Sequence, residues 1–159
     1  MSTSTPRPDY ARLSVDVYRK YLDFSMAAKL DEGLALIVDI RASQLNGCAF
    51  CVDMHVKQAR LHGERELRLH HLAIWRESTL FTPRERAALA WTELLTVLPP
   101  HGVTDADYAQ AREQFDEAEL VALSWRVAAI NGWNRMGVAF RAEPGSKDRM
   151  FGLDKAGLA

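Results

Sequence analysis

Ser43-Gln44-Leu45-Asn46-Gly47-Cys48-Ala49-Phe50-Cys51-Val52-Asp53-Met54-His55 holds both cysteines of this 159-residue chain and one of its five histidines. The stretch reads as a junction between two helices. An apolar helical pattern runs over residues 32–45, and Asn46-Gly47 is the pair best suited to a left-handed helix end. A new helix is then predicted from about Cys48 to Leu61, where His62-Gly63 stops it. On that helix Cys51 follows Cys48 by three residues and His55 follows Cys51 by four, so the three side chains share one stripe. The same reading sets the fold class, all-α, and gathers one thiol site.

Outward from the junction the chain continues helix after helix, and strand signals are almost absent. A first helix is expected over Tyr10–Leu30, opened by Pro8-Asp9, with Leu13, Val17, Tyr21 and Phe24 at helical spacing. A shorter one covers Glu64–Arg76. Thr82-Pro83-Arg84-Glu85 has the chemistry of a helix start: Thr82 caps, Pro83 fits the first turn, and Glu85 closes a capping box. The following residues 87–98 are apolar on nearly every side, which predicts a central helix ended by Pro99-Pro100. Thr104-Asp105-Ala106-Asp107 opens a short helix. Asp116-Glu117-Ala118-Glu119 opens a long one through Leu123, Val127, Ile130 and Phe140. The organisation expected is a flexible N-terminus over residues 1–9, one helical domain over 10–142, and an extended C-terminal arm over 143–159.

Composition narrows the function classes. Twenty basic and 21 acidic residues give a formal charge of −1, with no basic stripe to track a phosphate backbone, so nucleic acid is not an expected partner. The N-terminus lacks an apolar signal core and no apolar stretch is long enough to span a bilayer, so the expectation is a cytoplasmic protein without a membrane partner. In a reducing compartment two cysteines three residues apart are a poor structural staple and point to redox or metal work. No GxGxxG follows a strand, so no flavin or nicotinamide cofactor is expected. Several helices carry more apolar surface than one small bundle hides, which implies a homo-oligomer.

A free cysteine titrates near pH ~8.5, so a reactive one needs a helix N-terminus or a neighbouring base. This segment offers both: the amides of the second helix point toward Cys48 and Cys51, and His55 lies one turn after Cys51. The spacing also lets one sulfur condense with a sulfenic acid on the other, closing a Cys48–Cys51 disulfide. Three other readings compete. The cysteines can be small buried hydrophobes. They can ligate a structural zinc, with His62, His70, His71 or Asp53 completing a set that the run itself leaves one ligand short, although zinc cysteines usually come as two separated pairs. They can form a thioredoxin-type pair, although no strand precedes them. Trp75, Trp91, Trp125 and Trp133 read as core or subunit interface. Ser43, Gln44 and Asn46 can bond a substrate or serve local caps.

Residues 41–55, together with Ala73-Ile74-Trp75-Arg76-Glu77, residues 84–93 and Asn131-Gly132-Trp133-Asn134-Arg135, resemble the alkylhydroperoxidase D-like branch of the carboxymuconolactone decarboxylase superfamily. The resemblance covers the chain from the second helix to about residue 140. It implies an oligomeric helical bundle (dimer, trimer or hexamer) that reduces a small hydroperoxide with its CxxC pair and is restored by an external dithiol protein or a small thiol. In it Cys48, Cys51 and His55 carry over as catalytic residues, with Cys51 taken as the attacking sulfur and Cys48 as the resolving one; no cofactor and no metal are implied beyond the redox-active disulfide.

One position departs from that pattern. The family commonly places a proton-relay glutamate twelve residues before the first cysteine, where this chain has Leu36. Glu93, a carboxylate in an apolar helix, is expected to supply the missing acid, with Asp39 as the alternative. The competing expectation for Glu93 is an ion pair with Arg41 or Arg76. Against the peroxidase stand a redox-sensing or thiol-exchange oligomer and a lactone decarboxylase, which needs no cysteine pair.

Overall fold

The computed structural model describes residues 5–158. Residues 1–4 of the expected flexible N-terminus and Ala159 lie outside the described residues. Helices α1 (Tyr10–Leu13), α2 (Val15–Ala27), α3 (Glu32–Leu45), α4 (Ala49–Leu61), α5 (Glu66–His71), α6 (Pro83–Thr96), α7 (Asp105–Arg112), α8 (Glu117–Ala139) and α9 (Asp148–Phe151) follow one another, with 3₁₀ turns at Leu72–Glu77 and Leu153–Ala156. The fold is all-α, and no strand occurs among the described residues.

Side chains start these helices where the sequence places them. Thr82, Thr104 and Asp116 each close a capping box, with Glu85, Asp107 and Glu119 bonding back. Asp31 caps α3 through the Leu34 amide at 3.1 Å. The predicted first helix is broken at Ser14, whose extended φ of −134° separates α1 from α2. The fourth predicted helix tightens into the 3₁₀ turn after His71.

The helix buried on every side is α3, rather than α6 as the apolar run predicted. Leu34 through Ile40, with Ala42 and Ser43, are all buried, and α4, α6 and α8 pack around them. Ile37, Val38, Ile40, Leu72, Ala88, Leu89, Leu123 and Val127 form the centre of the core. On α6, by contrast, Ala87, Ala90 and Glu93 to Leu95 remain only partly buried. Two polar side chains lie within the buried α3, Asp39 and Ser43. Polar groups in such a position need partners, and theirs define the site.

The C-terminal arm is folded back instead of extended. Buried Lys57 on α4 donates to Asp53 at 2.9 Å and to Asp148 at 2.7 Å, and the Gly145 amide bonds Asp53 Oδ2 at 3.0 Å. Leu153 and Ala156 bury beneath α9, against α4. Few apolar residues mark this segment in the sequence because ion pairs to α4 hold it.

Candidate active site

The turn between α3 and α4 reverses the chain within three residues. Gly47 adopts φ +66°, its amide bonds Gln44 O at 3.2 Å, and the Cys48 amide bonds Ser43 O at 3.0 Å, closing the last carbonyls of α3. Asn46 then reaches across to α8, donating to Asn131 Oδ1 and Asn134 Oδ1, both at 2.9 Å. Asn134 in turn donates to Ser43 Oγ at 2.9 Å, and Asn131 to Thr96 Oγ1 at 3.0 Å. This amide network fixes the start of α4 against α8.

Cys48 is the N-cap of α4, its sulfur accepting from the Cys51 amide at 3.3 Å. The two cysteines form a disulfide, and each is 2% exposed. The positive end of the helix dipole lies at these sulfurs, so the thiolate formed on reduction is favoured there. The α8 backbone closes over them at Gly137, where an added Cβ would stand 2.8 Å from Cys48 Sγ and 3.4 Å from Cys51 Sγ.

His55, one turn beyond Cys51, is 7% exposed. Its Nδ1 lies 2.7 Å from Gln58 Oε1 and 3.7 Å from Asp39 Oδ2, and its Nε2 is buried without a hydrogen-bond partner among the described residues. Asp39, 1% exposed, is held by Arg126 of α8, which donates through Nε to Oδ1 at 2.9 Å and through Nη2 to Oδ2. That paired geometry keeps the buried carboxylate compensated. Arg126 is 87 residues from Asp39 in sequence, so no local pattern announced the pair.

His55 and Asp39 border a cavity of about 200 Å³ walled by Tyr10, Tyr18, Met54, Ile130, Trp133 and Phe151. Its walls come from α1, α2, α4, α8 and the folded-back C-terminal segment. Trp133 is itself fixed by its indole N–H to Ser25 Oγ at 2.8 Å and by edge contacts with Tyr18 and Tyr21.

Glu93 belongs to a different cluster. Arg41 Nε donates to its Oε1 at 2.7 Å, Trp75 Nε1 to the same oxygen at 2.8 Å, and Arg76 to Oε2. Burial pushes its carboxyl pKa up, but hydrogen bonds from Trp75, Arg76 and Arg41 outweigh it and hold the group below the ordinary glutamate range. Glu93 thus makes the ion pair with Arg41 and Arg76 that was the competing expectation for it. Leu36, at the position the family gives to glutamate, is a buried core residue. The three other histidines weighed as zinc ligands have partners elsewhere: His62 Nδ1 is 3.5 Å from Glu32, His70 Nε2 is 3.9 Å from Glu66, and His71 Nδ1 is 3.1 Å from Ser78 Oγ. Among the described residues no group of three or more His, Cys, Asp or Glu is arranged to hold a metal ion.

Residues 14–94, about half the chain, match the carboxymuconolactone decarboxylase family. The chain belongs to that family. Within the carboxymuconolactone decarboxylase family it is similar to the uncharacterized protein YdfG of Bacillus subtilis, 42% identical over 111 residues, which span 70% of this chain and 76% of YdfG. Among solved structures it is similar to ATU0492 of Agrobacterium tumefaciens, a protein of unknown function linked by name to antioxidant defence and AhpD. That likeness has a TM-score of 0.83 and 34% identity over 88% of this chain and 98% of the other. The AhpD core of an uncharacterized peroxidase-related protein from Ralstonia eutropha shares the fold, with a TM-score of 0.76 at 22% identity over 86% of this chain and 75% of its own. These neighbours identify this family member as AhpD-like.

Proposed function

We propose that this protein is a thiol-dependent peroxidase that reduces organic hydroperoxides. The observation that carries the reading is the Cys48–Cys51 disulfide at the start of α4, one turn from a buried histidine that has a carboxylate 3.7 Å away. In the reduced protein the Cys51 thiolate attacks the terminal oxygen of a hydroperoxide. The O–O bond breaks, Cys51 becomes a sulfenic acid, and the leaving alkoxide takes a proton to become an alcohol. Cys48 then attacks the sulfenic sulfur, water leaves, and the disulfide forms. An external dithiol protein or two small thiols reduce it, becoming a disulfide in turn.

The cavity beside His55 suits a substrate with an apolar body. At about 200 Å³ it exceeds the ~150 Å³ engineered cavity that takes up benzene, and aromatic and aliphatic side chains form most of its wall. We place Asp39, rather than Glu93, as the acid beside His55. We also propose a homo-oligomer, because Leu13, Val17, Met26, Val121 and Trp125 present apolar surface that one copy leaves exposed.

The test is hydroperoxide consumption by reduced protein with dithiothreitol as regenerant, beside Cys51→Ser and Cys48→Ser. Turnover is expected in the wild type and absent in Cys51→Ser, with Cys48→Ser trapping a sulfenic acid. A wild type that forms and breaks its disulfide without consuming peroxide overturns the reading. That outcome favours a redox switch, a role also consistent with the buried disulfide and Leu36.

A further inference from the structure

Gln58 has no part in the thiol chemistry above, yet its side chain meets the His55 ring at Nδ1. It follows His55 by three residues, so both side chains share one face of α4. Gln58 Oε1 lies 2.7 Å from His55 Nδ1, and Asp39 Oδ2 lies 3.7 Å from the same nitrogen. A carboxylate oxygen only accepts hydrogen bonds, and so does an amide oxygen, so both neighbours require the proton on Nδ1. Turning the amide over would set its NH₂ toward Nδ1 and leave a bare lone pair facing the Asp39 carboxylate, an arrangement the charge opposes. With the proton on Nδ1, the lone pair is on Nε2, and Nε2 is the buried atom without a partner.

We propose that Gln58 is a positioning residue: by accepting from Nδ1 it holds His55 as the Nδ1–H tautomer and keeps Nε2 as an unprotonated base. The division of labour with Asp39 follows from the distances. Asp39 is doubly bound by Arg126 and stands beyond hydrogen-bond reach of Nδ1, so it supplies a field, while Gln58 supplies the bond. When Nε2 takes up the proton that the attacking thiol releases, a relayed step because neither sulfur is a hydrogen-bond partner of Nε2, the imidazolium keeps its Nδ1–H bond to Gln58 beside the Asp39 charge. Nε2 then returns the proton to the leaving alkoxide, so the cycle balances. The identity of that proton donor rests on the peroxidase reading, whereas the tautomer is a property of the folded chain alone.

The experiment is nitrogen-15 NMR of the histidine side chains in the full-length oxidised protein, with His55→Gln to assign the resonances. The wild type is expected to show a protonated Nδ1 and an unprotonated Nε2. Gln58→Leu should move the tautomer ratio about fivefold toward Nε2–H, the weight of one such hydrogen bond, while Gln58→Glu, which keeps an acceptor in place, should retain the Nδ1 proton. A wild type protonated at Nε2, or a tautomer unchanged in a folded Gln58→Leu protein, overturns the proposal. In peroxide assays Gln58→Leu should lower kcat, and Gln58→Glu should recover most of it. Absence of turnover in the wild type would fail the peroxidase reading, and the NMR result would still decide the role of Gln58.

Discussion

Asp39 and Arg41 stand two residues apart on α3 and face opposite ways: the Asp39 carboxylate lies beside His55, while the Arg41 guanidinium binds Glu93. Residues two apart on an α-helix lie about 200° from each other around its axis, so α3 keeps Asp39 and Glu93 in different environments. One borders the cavity with a histidine, and the other closes an Arg-Trp-Arg cluster.

Asp39→Asn should therefore lower peroxide turnover by at least about tenfold. It should also cost about 3–5 kcal/mol, because the Arg126 charge is left without its partner. The combined Asp39→Asn, Arg126→Met variant separates the two effects. Urea unfolding should show most of the stability returned, while turnover stays low. Recovery of turnover in the double variant would mean that Asp39 acts on the fold alone.

Glu93→Gln should give the reverse pattern. Turnover per folded molecule should stay within about twofold, while stability at pH 7 falls by about 1–3 kcal/mol through loss of charged hydrogen bonds. Because the folded-state pKa of Glu93 lies below its ordinary 4.5, its stabilisation is present above that value and is lost as pH falls through the lowered one. Urea curves of wild type and variant should thus converge on acidification. A selective loss of turnover would return Glu93 to the proton path.

Lys57 makes the corresponding prediction at the other end of the pH scale. Hydrogen bonds with Asp148 and then Asp53 raise its pKa above the ordinary 10.5, against the opposing effect of burial. The stabilisation is complete below 10.5 and is lost as pH rises through the folded value. Lys57→Met should cost about 1–3 kcal/mol near neutrality and lack that alkaline decline, as read by thermal melts across the range. Limited proteolysis should cut the variant first within residues 143–158, since Lys57 ties that segment to α4.

The sequence made the junction at Asn46-Gly47 and the caps at Thr82, Thr104 and Asp116 legible because each is a local device, complete within four residues. The break at Ser14 carries no proline or glycine to announce it. The folded-back C-terminus was hidden for another reason: its anchors Asp53 and Lys57 lie about 90 residues from Gly145 and Asp148. The site divided along the same line. Cys48, Cys51 and His55 share one helical stripe, whereas recognising Asp39 as the acid near His55 needed Arg126 from α8 to be in place. Composition alone made Glu93 attractive, since an acid in an apolar helix demands partners, and the structure supplies them as Arg41, Arg76 and Trp75.

The backbone of α8 at Gly137 lies against both sulfurs, and neither sulfur has appreciable contact with solvent. A reductant in free solution therefore reaches this disulfide only when the fold around the two buried cysteines opens locally. Reduction then becomes a two-stage process, opening followed by exchange, and its rate should level off as thiol concentration rises. At that plateau all small thiols would share one ceiling, the rate of opening.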